Sequence, residues 1–286
     1  MQFDNILIVD WSGGNDRGKS PKKDAIWSTL IDGSTPVKPI YHRNRQVVEA
    51  YLHALCTEIL AKNQTLLAGF DFPFGYPGTF AAQITGSENP LALWDHYAAH
   101  LTDTPTQNNR FALANQLNQL FPGIGPFWFN ATKQTLPHLP HKGTARTNHG
   151  LPEKRLSETM AKGAFTCWQL GGAGAVGSQA ITGMASLSRL RAAFPTQIAV
   201  WPFAPLTKPI TLVEVWPSLY APEIRAAQHL DEIKDAAQTR ITAQIIAAAQ
   251  SGGTLATHLA APPAIAQKTE GWILGLPCPI HLGKNT

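Results

Sequence analysis

Two short apolar runs in the N-terminal quarter of the chain each end on an aspartate, and each is followed at once by residues that turn the backbone. Ile6 to Val9 leads into Asp10 and then Trp11-Ser12-Gly13-Gly14, while Thr65 to Phe70 leads into Asp71 and then Phe72-Pro73-Phe74-Gly75. Continuous apolar runs of this length, closed by Gly or Pro, read as buried strands entering tight turns. A carboxylate at the end of such a strand is costly unless it is paired or bound to a cation. One feature therefore limits the fold to a covered sheet and marks a candidate site on it.

The spacing of the remaining apolar residues predicts the other elements. Ala25 to Ile31, closed by Asp32-Gly33, reads as a second strand, and a third is expected near Val37 to Tyr41. The polar stretch Asn15 to Asp24 separates the first two. Arg45 to Lys62 carries Val48, Leu52, Leu55 and Ile59 at helical spacing. Three strands, a helix and a strand open an α/β mixed sheet flanked by helices. From about 79 to 164 the pattern loosens into helices near 91–101 and 108–120 and a Pro-, His- and Gly-rich stretch, Pro122 to Pro152. This segment reads as a large, mostly helical and loop insertion or lid on a single domain spanning 1–286. Regular order returns with a helix over Ser178 to Phe194 despite Gly183, strands over Ile198 to Phe203 and Thr211 to Val215, and a helix over Ile233 to Gln250. The tail Gly271-Trp272-Ile273-Leu274-Gly275 is expected to pack back on the core.

Composition narrows the function classes. With 44% hydrophobic and only 15% charged residues, 23 Gly and 22 Pro, the chain suits a loop-rich globular fold and not a disordered one. A net charge of +4 is compatible with a nucleic-acid or phosphorylated small-molecule partner. The richest basic run, Arg17 to Lys23, falls in a polar loop and reads as solvated. Cys56, Cys167 and Cys278 form no CxxC pair, which argues against a cysteine zinc site and for a reducing compartment. No segment approaches the roughly 20 apolar residues that span a bilayer, so a cytoplasmic protein without membrane contact is expected.

Glu214 lies in the apolar strand Leu212-Val213-Glu214-Val215, a third carboxylate in a position that disfavours charge. Asp235 adds a fourth near the start of a helix, with Asp231 one turn earlier. Taken singly, these acids also suit turn caps or a helix N-terminus. Together, Asp10, Asp71, Glu214 and Asp235 suggest a shared site for Mg²⁺ or Mn²⁺, hard cations that take oxygen ligands. Such ions activate water and steady a leaving oxygen in phosphodiester cleavage.

Other motifs are candidates for substrate contact. Gly172-Ala173-Gly174-Ala175-Val176-Gly177 precedes a helix, which suits either close helix packing or a phosphate contact beside the acids. A dinucleotide site lacks its ribose-binding acid. Lys154 and Arg155, with Glu158, either clamp a phosphate or form surface pairs. Lys142 and Arg146 lie among His138, His141 and His149, whose spacing fits no closed zinc set but suits a substrate-facing basic loop. Phe127-Trp128-Phe129 suits base stacking or an apolar anchor. Ser12 has no histidine or GxSxG context that makes it a nucleophile.

Asp10-Trp11-Ser12-Gly13, Gly69-Phe70-Asp71-Phe72-Pro73-Phe74-Gly75-Tyr76-Pro77, Glu214-Val215-Trp216-Pro217 and Asp235-Ala236 together resemble a bacterial family of unknown function. That family is placed in the ribonuclease-H-like superfamily and described as predicted nucleases. The resemblance covers roughly 5–78 and 165–276. It implies a ribonuclease-H-like sheet, with Asp10, Asp71, Glu214 and Asp235 as the metal-binding acids. Relatives also carry a label tied to molybdopterin guanine dinucleotide synthesis. Residues and resemblance together lead to the expectation of a divalent-metal-dependent hydrolase of a phosphodiester or phosphoanhydride. The alternative is a non-catalytic binder of a nucleotide or a molybdopterin-type cofactor precursor.

Overall fold

The computed structural model describes residues 2–33 and 38–280. Along the chain, β1 (Asn5–Asp10), β2 (Ile26–Ile31) and β3 (Ile40–His42) precede α1 (Arg45–Ala61) and β4 (Leu66–Phe70). Then come α2 (Phe80–Thr85), α3 (Leu91–His100), α4 (Arg110–Asn118), α5 (Leu156–Met160) and α6 (Gly177–Ala193). The C-terminal part holds β5 (Ile198–Val200), β6 (Ile210–Glu214), α7 (Ala221–Ala227) and α8 (Lys234–Ser251). The expected third strand begins later than its sequence suggests, and Val37 lies outside the described residues. β5 ends at Val200, short of the expected Phe203, because Pro202 has no N–H to offer the ladder.

The six strands form one mixed sheet in the order β3-β2-β1-β4-β6-β5. β3, β2 and β1 pair antiparallel in turn, whereas β1, β4, β6 and β5 are mutually parallel. Parallel neighbours need a crossover, and α1, between β3 and β4 in the chain, returns it so that β4 pairs with β1. Its start is fixed by Asn44, whose side chain accepts the N–H of Val47. All residues of β1, β4 and β6 are buried, as expected of central strands covered on both faces.

Alternation along these strands divides the core. Leu7, Val9, Leu66, Ala68, Phe70, Ile210 and Leu212 face α1, α3, α6 and the 80–160 segment. Ile6, Ile8, Leu67 and Val213 face Ile241, Ile245 and Ile246 of α8. The inserted segment is tied to the sheet by aromatic packing, with Tyr76 stacked on Trp168 at 5.0 Å and Phe80 on Phe121 at 5.3 Å. The Gly271–Gly275 tail packs back as expected, since Leu274 donates its N–H to the Glu214 carbonyl. Among the described residues no helix is long and apolar enough to cross a membrane.

Candidate active site

The carboxyl ends of β1, β4 and β6 lie side by side, the edge at which open α/β sheets place their ligands. Register decides what each acid does there. Val9 is level with Phe70, and Asp71 N–H extends the ladder to the Val9 carbonyl at 3.0 Å. Asp10 and Asp71 are thus neighbours on the same face, the α8 face. Phe70 is also level with Glu214. Glu214 sits one residue behind Asp71, and a one-residue offset reverses the side chain's face.

Asp10 is buried at 9% exposure and Asp71 is half-buried. Neither carboxylate receives a hydrogen bond or ion pair among the described residues. Burial, with the Asp71, Asp235 and Asp24 charges, pushes the Asp10 carboxyl well above its usual range. Burial and the charges of Glu214 and Asp235 raise Asp71 to about 7. Asp235, at the start of α8, is raised by burial, opposed by the Asp24 N–H that it accepts at 2.6 Å. All four expected acids are therefore linked electrostatically, Asp10 to Asp71 and Asp235, and Asp71 to Glu214 and Asp235, while Lys234 partly offsets the effect at Asp10. Asp231 lies before the helix and is exposed, while Glu232 pairs with Arg240 at 2.6 Å.

Glu214 is corrected from shared ligand to buried ion-pair partner. Its two oxygens accept the Arg155 guanidinium at 2.6 and 2.8 Å, and Oε2 also accepts the Phe74 N–H at 3.0 Å. Arg155, in turn, donates to Glu158 at 2.9 Å and to the Glu270 carbonyl at 2.8 Å. It is 1% exposed, so it is neither a surface residue nor free to clamp a substrate. Removing one member of such a pair leaves an uncompensated buried charge. Asp71, Glu214, Arg155 and Glu158 line a cavity of about 30 Å³, room for roughly one water molecule. Through it the Glu214 charge reaches Asp71 from the other face.

The remaining candidates lie apart or act within the fold. Gly177 opens α6 with its Cα against the carbonyls of Cys167 and Gln169, where a Cβ would come within 2.7 Å. Gly172 and Gly174 adopt φ of 88° and 72° and pack on Phe129 and Phe165. The loop therefore takes the helix-packing option. Lys154 donates to the Ala164 carbonyl at 2.7 Å, and Arg146 pairs with Glu153 at 2.9 Å over the Trp128 ring. Lys142 is exposed. His141 bonds the Asn130 carbonyl and His149 the Leu151 N–H. Phe127 is fully buried against Tyr76 and Trp168, an anchor and not a stacking platform.

Asp24 escaped the sequence reading as a site residue. It is an exposed loop residue held at φ 56°, with its N–H on Asp235 and its carbonyl on the Ser12 hydroxyl. Only the positive φ sets it apart, and no local pattern announces that.

Among the described residues no three His, Cys, Asp or Glu side chains form a ready-made cage for an ion. The donor chemistry nevertheless suits Mg²⁺ or Mn²⁺. Mg²⁺ binds through one or two carboxylates and keeps water and substrate oxygens for the rest of its shell. Asp10, buried, and Asp71, half-buried, neither in an ion pair among the described residues, supply that minimal set. Fold and site thus define an α/β protein with two neighbouring carboxylates, outside any ion pair among the described residues, at the carboxyl edge of its sheet. The chain has no significant match among known family models, curated proteins or solved structures.

Proposed function

We propose that the protein is a divalent-metal-dependent hydrolase of a phosphodiester or phosphoanhydride, with Asp10 and Asp71 holding the ion and Asp235 completing the acidic face. The observation that carries this reading is the pair itself: two neighbouring carboxylates, Asp10 buried and Asp71 half-buried, that accept no hydrogen bond and make no ion pair among the described residues. A folded protein keeps such a pair at a cost, and a bound cation removes that cost. The bound ion supplies Lewis-acid activation of a phosphoryl oxygen and of water. Asp10 and Asp71 orient it at the sheet edge, and Asp235, fixed by the Asp24 N–H, is placed to hold a second ion or a water. Glu214 and Arg155 brace the Phe74 turn from behind. An order of three antiparallel strands followed by parallel β4 supports the ribonuclease-H-like reading, with β5 as an added edge.

The alternative binder relied on the Gly172–Gly177 loop, and its glycines are occupied by packing. Purified protein with Mg²⁺ or Mn²⁺, assayed against RNA, DNA, branched DNA and nucleotides, is expected to cleave at least one of them. Asp10→Asn and Asp71→Asn should each lower that rate by about 100-fold or more, a loss on the scale of removing one transition-state-stabilising group. Unchanged cleavage in both variants would refute the assignment.

A further inference from the structure

The backbone of the segment joining β1 to β2 is pinned, although its basic side chains are solvated as its composition suggests. Buried Arg45 donates to the carbonyls of Ser12 and Gly14 while gripping Asp103 at 2.5 Å. Asp16 accepts from Arg43 and Asn44, each at 2.7 Å, and Tyr41 donates to the Gly18 carbonyl at 2.8 Å. Trp27 donates to the Lys22 carbonyl at 3.0 Å, and Asp24 closes the run on Asp235 at 2.6 Å. Backbone and side chains behave oppositely here. Arg17, Lys19, Lys22 and Lys23 are all exposed, and none makes an ion pair or donates a side-chain hydrogen bond among the described residues. Asp16, in the same loop, is already spent on Arg43, and Asp235, which feels the Lys23 charge, makes no ion pair with it. Lys234, also exposed, adds a cation beside Asp235 across from Lys23.

A solvated charge run needs no such anchoring, and an anchored structural loop needs no such charge. A row of fixed, unpaired cations matches a repeating polyanion better than a single phosphate. We propose that residues 17–23 form a preformed rail for the backbone phosphates of a nucleic-acid strand, leading it to the carboxyl end of β1. The proposal rests on the hydrolase reading for where the strand arrives, but binding along the rail needs no metal and no cleavage.

The test is fluorescence anisotropy of a labelled 20-nucleotide single-stranded DNA, and of the same sequence as RNA, titrated in EDTA at several salt concentrations. Lys22→Ala/Lys23→Ala is compared with Lys62→Ala/Lys208→Ala, which removes equal charge at the amino ends of β4 and β6. Each single-strand phosphate contact contributes about 0.7 to the salt slope. The rail pair should therefore lower the slope by about 1.4 and weaken binding several-fold at 0.1 M salt, leaving the melting temperature unchanged. The control pair should change binding less than twofold. No binding by the parent chain, no loss in the rail pair, or equal loss in both pairs would overturn the rail. Because EDTA prevents metal-dependent cleavage, that outcome is separate from the fate of Asp10→Asn and Asp71→Asn in the activity assay.

Discussion

Asp71 and Glu214 are adjacent carboxylates at the ends of adjacent strands, yet their partners differ completely. Glu214 accepts three hydrogen bonds, two of them from Arg155, whereas Asp71 receives none and is pushed up to about 7, first by burial and then by the Glu214 and Asp235 charges. The sign for stability follows from linkage. A carboxyl whose folded pKa exceeds the ordinary 3.8 binds its proton more tightly when folded, so stability is lost as pH rises through about 7. Asp71→Asn removes that loss. In EDTA the variant should melt higher than the parent at pH 8, by on the order of 5 °C, and the gap should close as pH falls below about 7. His42, pushed down to about 4 by burial, acts in the opposite direction but equally in both proteins. Differential scanning fluorimetry across pH 5–9 checks this. A variant that melts lower at pH 8 would mean that Asp71 has a partner favouring its charge.

At the scale of elements, α6 shows packing overriding propensity. Gly183 lies mid-helix, where alanine is ordinarily better by about 1 kcal/mol. A Cβ there would fall 2.4 Å from the Phe72 ring, which is wedged between Trp11 and Phe74 at centroid distances of 5.6 and 5.5 Å. Gly183→Ala should therefore destabilise by about 1–2 kcal/mol, the cost of overpacking less the helix gain, read as a lower urea midpoint. A raised midpoint would contradict the packing of α6 on the Asp71 turn. The helix itself was legible from Ser178 to Phe194, as were α1, α8 and the central strands, because apolar periodicity is local. The face of Glu214 was not legible. It depends on a one-residue offset between β4 and β6, elements 140 residues apart at the Phe74–Glu214 contact. Arg155 was legible only in its local pair with Glu158, for the same reason. Its charge suggested the surface, and its partners Glu214 and Glu270 lie 59 and 115 residues away.

For the molecule as a whole, the sheet's carboxyl edge separates two chemistries. Behind it, the 80–160 segment and the C-terminal tail bury a compensated Arg155–Glu158–Glu214 cluster that fixes the turn after β4. In front, α8 and the pinned β1–β2 loop bring Asp10, Asp71 and Asp235 together without an ion pair among the described residues, with exposed Lys23 and Lys234 at the rim. Strand-end aspartates made the front legible in sequence; the rear cluster required long-range contacts that no pattern encodes. The account turns on whether Asp10 and Asp71 bind a divalent ion together. Isothermal titration of Mn²⁺ into the metal-free protein at pH 8, above the value of about 7 for Asp71, tests it directly. The account predicts saturable binding by the parent chain, lost in Asp10→Asn/Asp71→Asn and unaffected by Lys22→Ala/Lys23→Ala. Absent binding by the parent, or equal binding by the double aspartate variant, would contradict it.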